Sequence, residues 1–128
     1  MSLRSPLGRV LGLGAAGEGV GHWWAQRASA VALVLLTLWF VGALIALGTV
    51  DYAALVAWLQ RPLSAVLMTL LVLTLVYHSV LGVQVVIEDY VSNKGTRILV
   101  LLAARFAHVL LGAIGVFAVL RIAFGGHA

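Results

Sequence analysis

Residues 62–97 read PLSAVLMTLLVLTLVYHSVLGVQVVIEDYVSNKGTR, and from Pro62 through Ile87 the only titratable group of acid–base interest is His78. An α-helix rises about 1.5 Å per residue and the hydrocarbon core of a bilayer is about 30 Å thick, so a run of this length spans it. Pro62 suits a first helical turn, where its missing N–H has no partner to lose, and the run stops at Glu88, Asp89 and Tyr90. Two further blocks share the pattern: residues 28–50 carry no charge, and residues 98–124 carry only Arg105 and Arg121. Across the 128 residues, 63% are hydrophobic and 9% charged, with a mean hydropathy of +1.14. Soluble domains are not built this way. The sequence predicts an all-α integral membrane protein, one domain over residues 1–128, with three transmembrane helices at about 24–50, 62–90 and 96–124.

Outside the spans, residues 1–22 carry Gly8, Gly12, Gly14, Gly17, Gly19 and Gly21, a density that predicts an irregular cytoplasmic lead segment. No apolar core of signal-peptide length precedes a small-residue cleavage site, so no removable signal is expected, and a bacterial inner membrane is the expected location. DYAALVAWLQRP (residues 51–62) reads as a short amphipathic connection, and the Asn and Gly of SNKG (residues 92–95) as a helix stop. Gly42 with Ala46, and Ala103 with Ala107, are small pairs at four-residue spacing that would let helices approach closely, although such pairs also arise by chance in Ala- and Gly-rich spans. Trp23, Trp24, Trp58 and Tyr90 fall near expected helix ends as interfacial anchors, whereas Trp39 lies inside the first span.

The formal net charge is +4, but the eight Lys and Arg are scattered along membrane boundaries and make no nucleic-acid face. Arg4, Arg9, Arg27, Lys94 and Arg97 fall on one side of three alternating spans, and Arg61 and Arg121 on the other. That asymmetry predicts a cytoplasmic N-terminus. Cysteine is absent, which excludes covalent haem attachment through CxxCH, a thiolate-held iron–sulfur cluster and a disulfide.

His78 lies nine residues before Ile87, about 13 Å along a helix from the membrane boundary. Ionisable groups at such depth are rare and usually functional, and a purely structural histidine there needs a hydrogen-bond partner on a neighbouring helix. Gly82, Val85 and Asp89 fall within about 40° of His78 around the helix at about 100° per residue. Neutral imidazole is an axial ligand for haem iron, and Gly82 one turn away removes bulk where a flat macrocycle would lie. His108, at matching depth in the third span, with Gly112 one turn on, is a candidate second ligand; alternatively it packs between helices and the second ligand comes from another chain. Asp89 and Tyr90 sit where an apolar head group and water meet. A phenol there can hydrogen-bond a quinone carbonyl and a carboxylate can carry protons, or both are an ordinary helix end with a belt tyrosine. Arg27 opens the first span on the same side, placed to meet a haem propionate, a quinone oxygen or a lipid phosphate. Arg105 lies deeper than an anchor and either snorkels or pairs with Glu88, Asp89 or a propionate.

HWWAQRASAVALV (residues 22–34) followed by YHSVLGVQVVIEDYV (residues 77–91) resembles the smaller haem-binding membrane anchor subunit of succinate dehydrogenase, respiratory complex II. The specific mark is a histidine with glycine one turn on and Asp-Tyr eleven and twelve residues after it. The resemblance implies that His78 is one axial ligand of a haem b shared with a larger cytochrome b anchor subunit. It also implies that Tyr90 hydrogen-bonds ubiquinone, the substrate, with Asp89 beside it, and that Arg27 lies near the propionates and the quinone. FAD and the iron–sulfur clusters would belong to flavoprotein and iron–sulfur partner subunits, and the chain alone would not be catalytic. His22 is near a histidine of some family members but carries no assigned role, and His108 matches no family ligand. A redox-inert three-helix scaffold and a self-contained bis-histidine cytochrome b are the competing expectations.

Overall fold

The computed structural model describes residues 16–125, with side-chain surroundings from Gly19 onward. The chain forms α1 (Ala16–Leu47), a short α2 (Tyr52–Leu59), α3 (Pro62–Tyr90) and α4 (Lys94–Ala123), with no strand among the described residues. Three stretches are long and apolar enough to cross a membrane, Gly19–Leu47, Pro62–Tyr90 and Lys94–Ala123. α3 begins at Pro62 and ends at Tyr90, the bounds expected from its composition.

The other helix ends differ from expectation for local reasons. α1 is already helical at Ala16, so residues 16–22 continue the span, and the remainder of the expected lead segment, with Arg4 and Arg9, lies outside the described residues. Extending an existing helix gains a hydrogen bond for each residue fixed, and Gly costs only about 1 kcal/mol relative to Ala, so Gly19 and Gly21 do not stop it. α1 ends at Leu47, earlier than Val50, because Gly48 adopts φ +70° and its N–H bonds back to the carbonyl of Ile45 at 3.2 Å. Only glycine enters that left-handed region without strain. Asn93 starts a helix here: its Oδ1 accepts the N–H of Thr96 at 3.1 Å, and α4 begins at Lys94.

Asp51 caps α2 in the same manner, accepting the N–H of Ala54 at 2.8 Å. The capped turn brings Trp58 back against α1, where it is 5% exposed and stacks on Trp39 with ring centroids 5.5 Å apart and planes at 27°. Phe40 flanks the pair at 6.2 Å. Trp58 is therefore an internal packing residue and not a belt anchor, and Trp39 inside the span is its partner.

α3 is the middle helix, packed against α4 on one side and α1 on the other. Its approach to α4 is set by Gly112 and Gly115: a Cβ at Gly112 would sit 3.4 Å from both Cγ atoms of Val76, and one at Gly115 only 2.9 Å from Cγ1 of Val72. The small pairs singled out by spacing do not serve this purpose. Gly42, Ala46, Ala103 and Ala107 are all exposed, and a Cβ at Gly42 would meet nothing within 4 Å. A four-residue spacing defines a face but not which neighbour that face meets. Gly115→Ala is expected to cost about 1–3 kcal/mol through overpacking, read as a lower unfolding temperature in detergent. Adding Val72→Ala should give a double variant more stable than the two single losses predict, while Gly42→Ala leaves the unfolding temperature unchanged.

Candidate functional site

The face of α3 that meets α1 carries His78, which lies twelve residues before Tyr90, about 18 Å of helical rise from that end. Its ring is half-buried against α1, with Nδ1 2.9 Å from Ser29 Oγ. Ser29 is 6% exposed, and its hydroxyl donates to the backbone carbonyl of Gln26 at 3.1 Å. A serine hydroxyl has one hydrogen and a carbonyl can only accept. If that hydrogen stays on the carbonyl, Ser29 Oγ accepts in the 2.9 Å contact, and the tautomer that fits is the one with the proton on His78 Nδ1 and a lone pair on Nε2. The side-chain amide nitrogen of Gln26 stands 3.4 Å from Nε2, beyond the usual length of an N–H hydrogen bond.

Gly82 lies one turn on, beneath the same amide: a Cβ there would be 3.7 Å from Gln26 Nε2. His22, Gln26 and Ser29 fall within about 60° on α1, a polar stripe at helical spacing in an otherwise apolar segment. Two atoms of that stripe, His22 Nε2 and Gln26 Oε1, are buried with no hydrogen-bond partner among the described residues. Gln26 and Ser29 were not expected as site residues, although their spacing from His22 was a readable signal. The donor set fits a single axial nitrogen for haem iron, since metal-bound histidines almost always donate the other ring N–H to a fixed acceptor.

His108 is built differently. Its Nδ1 lies 2.7 Å from the carbonyl of Ala104, to which it must donate, and its Nε2 then accepts from the hydroxyl of Ser79 at 3.0 Å. Both nitrogens are engaged. Ser79 follows His78 and points about 100° around α3, so the two histidines address different helices. The two rings face different helices, and His108 is a hydrogen-bonded tie between α3 and α4.

Of the remaining expected residues, Asp89 and Tyr90 stand at the end of α3, whereas Arg27 and Arg105 lie deeper, level with His78 and Gln84. Tyr90 is 85% exposed and Asp89 is exposed, and no hydrogen bond among the described residues holds either side chain. Arg27 is exposed, with its guanidinium 5.6 Å from the centroid of the Trp23 ring, and hydrogen-bonds neither His78 nor Asp89 nor Tyr90. Arg105 meets Glu88 only indirectly: its guanidinium donates to Gln84 Oε1 at 3.1 Å, and the Gln84 amide donates to Glu88 at 2.8 Å. Of the expected site residues, His78 and Gly82 are brought together.

The family model described as the succinate dehydrogenase/fumarate reductase transmembrane subunit matches residues 1–112. Proteins named succinate dehydrogenase hydrophobic membrane anchor subunit are similar to the chain along most of its length. One from Rickettsia bellii (strain RML369-C) is 34% identical over 107 residues, 84% of this chain and 86% of the relative. One from Paracoccus denitrificans is 31% identical over 114 residues, 89% of this chain and 88% of the relative. With three apolar spans and a matching sequence over nearly its whole length, the chain belongs to the family of succinate dehydrogenase/fumarate reductase transmembrane subunits and groups with its hydrophobic membrane anchors.

Proposed function

We propose that this membrane anchor holds one side of a haem b through His78 and contributes Tyr90 and Asp89 to the ubiquinone-reducing site of succinate dehydrogenase. The observation that supports the reading is the setting of His78, within a membrane span with Nδ1 2.9 Å from Ser29 Oγ and Nε2 opposed only by an amide nitrogen at 3.4 Å. His78 would hold the haem from this side, and a larger cytochrome b anchor subunit would supply the other ligand, in keeping with both nitrogens of His108 being hydrogen-bonded within this chain. FAD and the iron–sulfur clusters belong to flavoprotein and iron–sulfur partners, consistent with a chain that has no cysteine.

Antiparallel packing puts the start of α1 beside the end of α3, so that start shares one side of the membrane with Asp89, Tyr90, Lys94 and Arg97, while Arg27, between Gln26 and Ser29, lies level with His78. Basic residues concentrate there, which supports a cytoplasmic assignment for that side in a bacterial inner membrane. Reducing a quinone to a quinol takes two electrons and two protons. The Tyr90 phenol donates a hydrogen bond to one quinone carbonyl, where negative charge gathers as electrons arrive from the partner subunits. Asp89, exposed beside it, exchanges protons with water and delivers them toward that oxygen. Arg27, on α1 level with His78, supplies a positive charge for a haem propionate carboxylate. When bound, haem b provides a one-electron reservoir within the membrane.

Replacing the phenol tests the quinone assignment. Tyr90→Phe is expected to lower succinate:quinone turnover about a hundredfold while succinate oxidation by a soluble dye is retained, and normal quinone turnover would refute the role. Reduced-minus-oxidised spectra of the purified complex test the haem. His78→Ala should abolish or diminish a b-type band that His108→Ala preserves; dependence on His108 instead would reassign the ligand.

A further inference from the structure

Ser29 shares an interface with His78 yet is forty-nine residues away in sequence, and it does two things at once. Its hydrogen goes to the Gln26 carbonyl of its own helix, so its oxygen faces the ring as an acceptor. Had the hydroxyl turned its hydrogen to the ring, Nδ1 would be the accepting nitrogen and Nε2 would carry the proton, unable to bind a metal. Accepting from Nδ1–H also shifts electron density toward Nε2 and makes the ring a stronger donor.

Resting on the haem reading above, we propose that Ser29 is the positioning residue for His78: it fixes the Nδ1–H tautomer, aims the Nε2 lone pair at the iron site and lowers the iron's reduction potential. The Gln26 amide nitrogen, 3.4 Å from Nε2, makes only a long contact to that atom. A stronger imidazole donor favours ferric over ferrous iron, so losing the Ser29 contact raises the potential. The role is not merely packing, because a packing residue of the same size without an accepting oxygen would leave both tautomer and potential unmoved.

The test uses the intact complex purified through this chain, as wild type, Ser29→Ala, Ser29→Cys and Ser29→Thr. Ser29→Cys retains volume while offering only a poor acceptor, so it stands in if Ser29→Ala does not assemble. Ser29→Thr retains the hydroxyl, and the open groove beside it, lined by Ala28, Ala32, Thr74 and Tyr77, has room for a methyl. Redox titration of the b-type band should show Ser29→Ala and Ser29→Cys about tenfold easier to reduce, a rise of about 59 mV for a one-electron couple, with Ser29→Thr near wild type. Haem transfer to apomyoglobin should be about tenfold faster in the first two. Unchanged potential and transfer in a haem-loaded Ser29→Ala or Ser29→Cys complex overturns the proposal while leaving the haem site standing. A wild-type complex with no b-type band overturns the haem reading, and the tuning role falls with it. Nitrogen-15 shifts of His78 in the haem-free full chain give a separate readout: a single Nδ1–H form that becomes a mixture in Ser29→Ala supports the proposal, and an unchanged ring overturns it.

Discussion

Inside a bilayer a polar side chain has no water to turn to, so each buried donor and acceptor has to find its partner on a neighbouring helix. Adjacent residues of α3 meet that constraint in opposite directions. His78 bonds Ser29 of α1 at 2.9 Å, and Ser79 bonds His108 of α4 at 3.0 Å. Because successive residues are rotated by about 100°, neighbours in sequence serve two interfaces, and α3 becomes the middle helix. The glycines of α4 work with these ties. Gly112 and Gly115 admit Val76 and Val72, and that closeness lets the imidazole of His108 reach a short serine side chain.

The two histidine–serine pairs have the same composition and different outcomes, and the difference lies in where the serine hydrogen goes. In the proposed arrangement Ser29 gives its hydrogen to the carbonyl of Gln26 and receives one from His78. His108 gives its own to the carbonyl of Ala104, so Ser79 has to be the donor to Nε2. Four strong groups are thereby paired at the α4 interface, and the ring there has nothing further to offer. At the α1 interface the pairing stops one short, with Nε2 of His78 facing an amide at 3.4 Å and with Gln26 Oε1 and His22 Nε2 unpartnered. Incomplete satisfaction at such depth is costly for a scaffold and sensible for a site that receives a ligand.

Sequence made the spans legible because bilayer thickness and helical rise leave few ways to read three long apolar blocks, and Pro62 and Tyr90 bounded α3 correctly. His78 and Gly82 stood out for a related reason, a titratable ring and a missing side chain one turn apart on an apolar helix. What sequence did not reveal was pairing across interfaces. Gln26 and Ser29 stood beside Arg27, whose charge drew attention, yet Arg27 turned out to be exposed over Trp23 while its smaller neighbours met the histidine. Trp58 looked like a belt residue because it lies near a helix end, but the cap at Asp51 turns α2 inward and buries it. In each case the deciding fact was the direction of a face, which depends on a neighbour many residues away.

The two ends of the candidate site differ in how finished they are. His78 is held by a buried hydroxyl and a neighbouring backbone, so its geometry is set before any ligand arrives. Asp89 and Tyr90, about 18 Å along the same helix, are exposed and bonded to nothing among the described residues. An apolar head group bound against such a phenol needs further walls, and the chain's own surface shows how few it makes: Trp58, Ala65, Ile87 and Val119 are its buried apolar residues, while Val34, Leu38, Leu110 and Phe117 face outward. A subunit that anchors a larger assembly has reason to be arranged so. On the proposed reading, an iron ligand keeps one fixed orientation, which a preformed hydrogen bond provides, whereas a quinone end has to admit and release a substrate, which a surface completed by partner subunits permits.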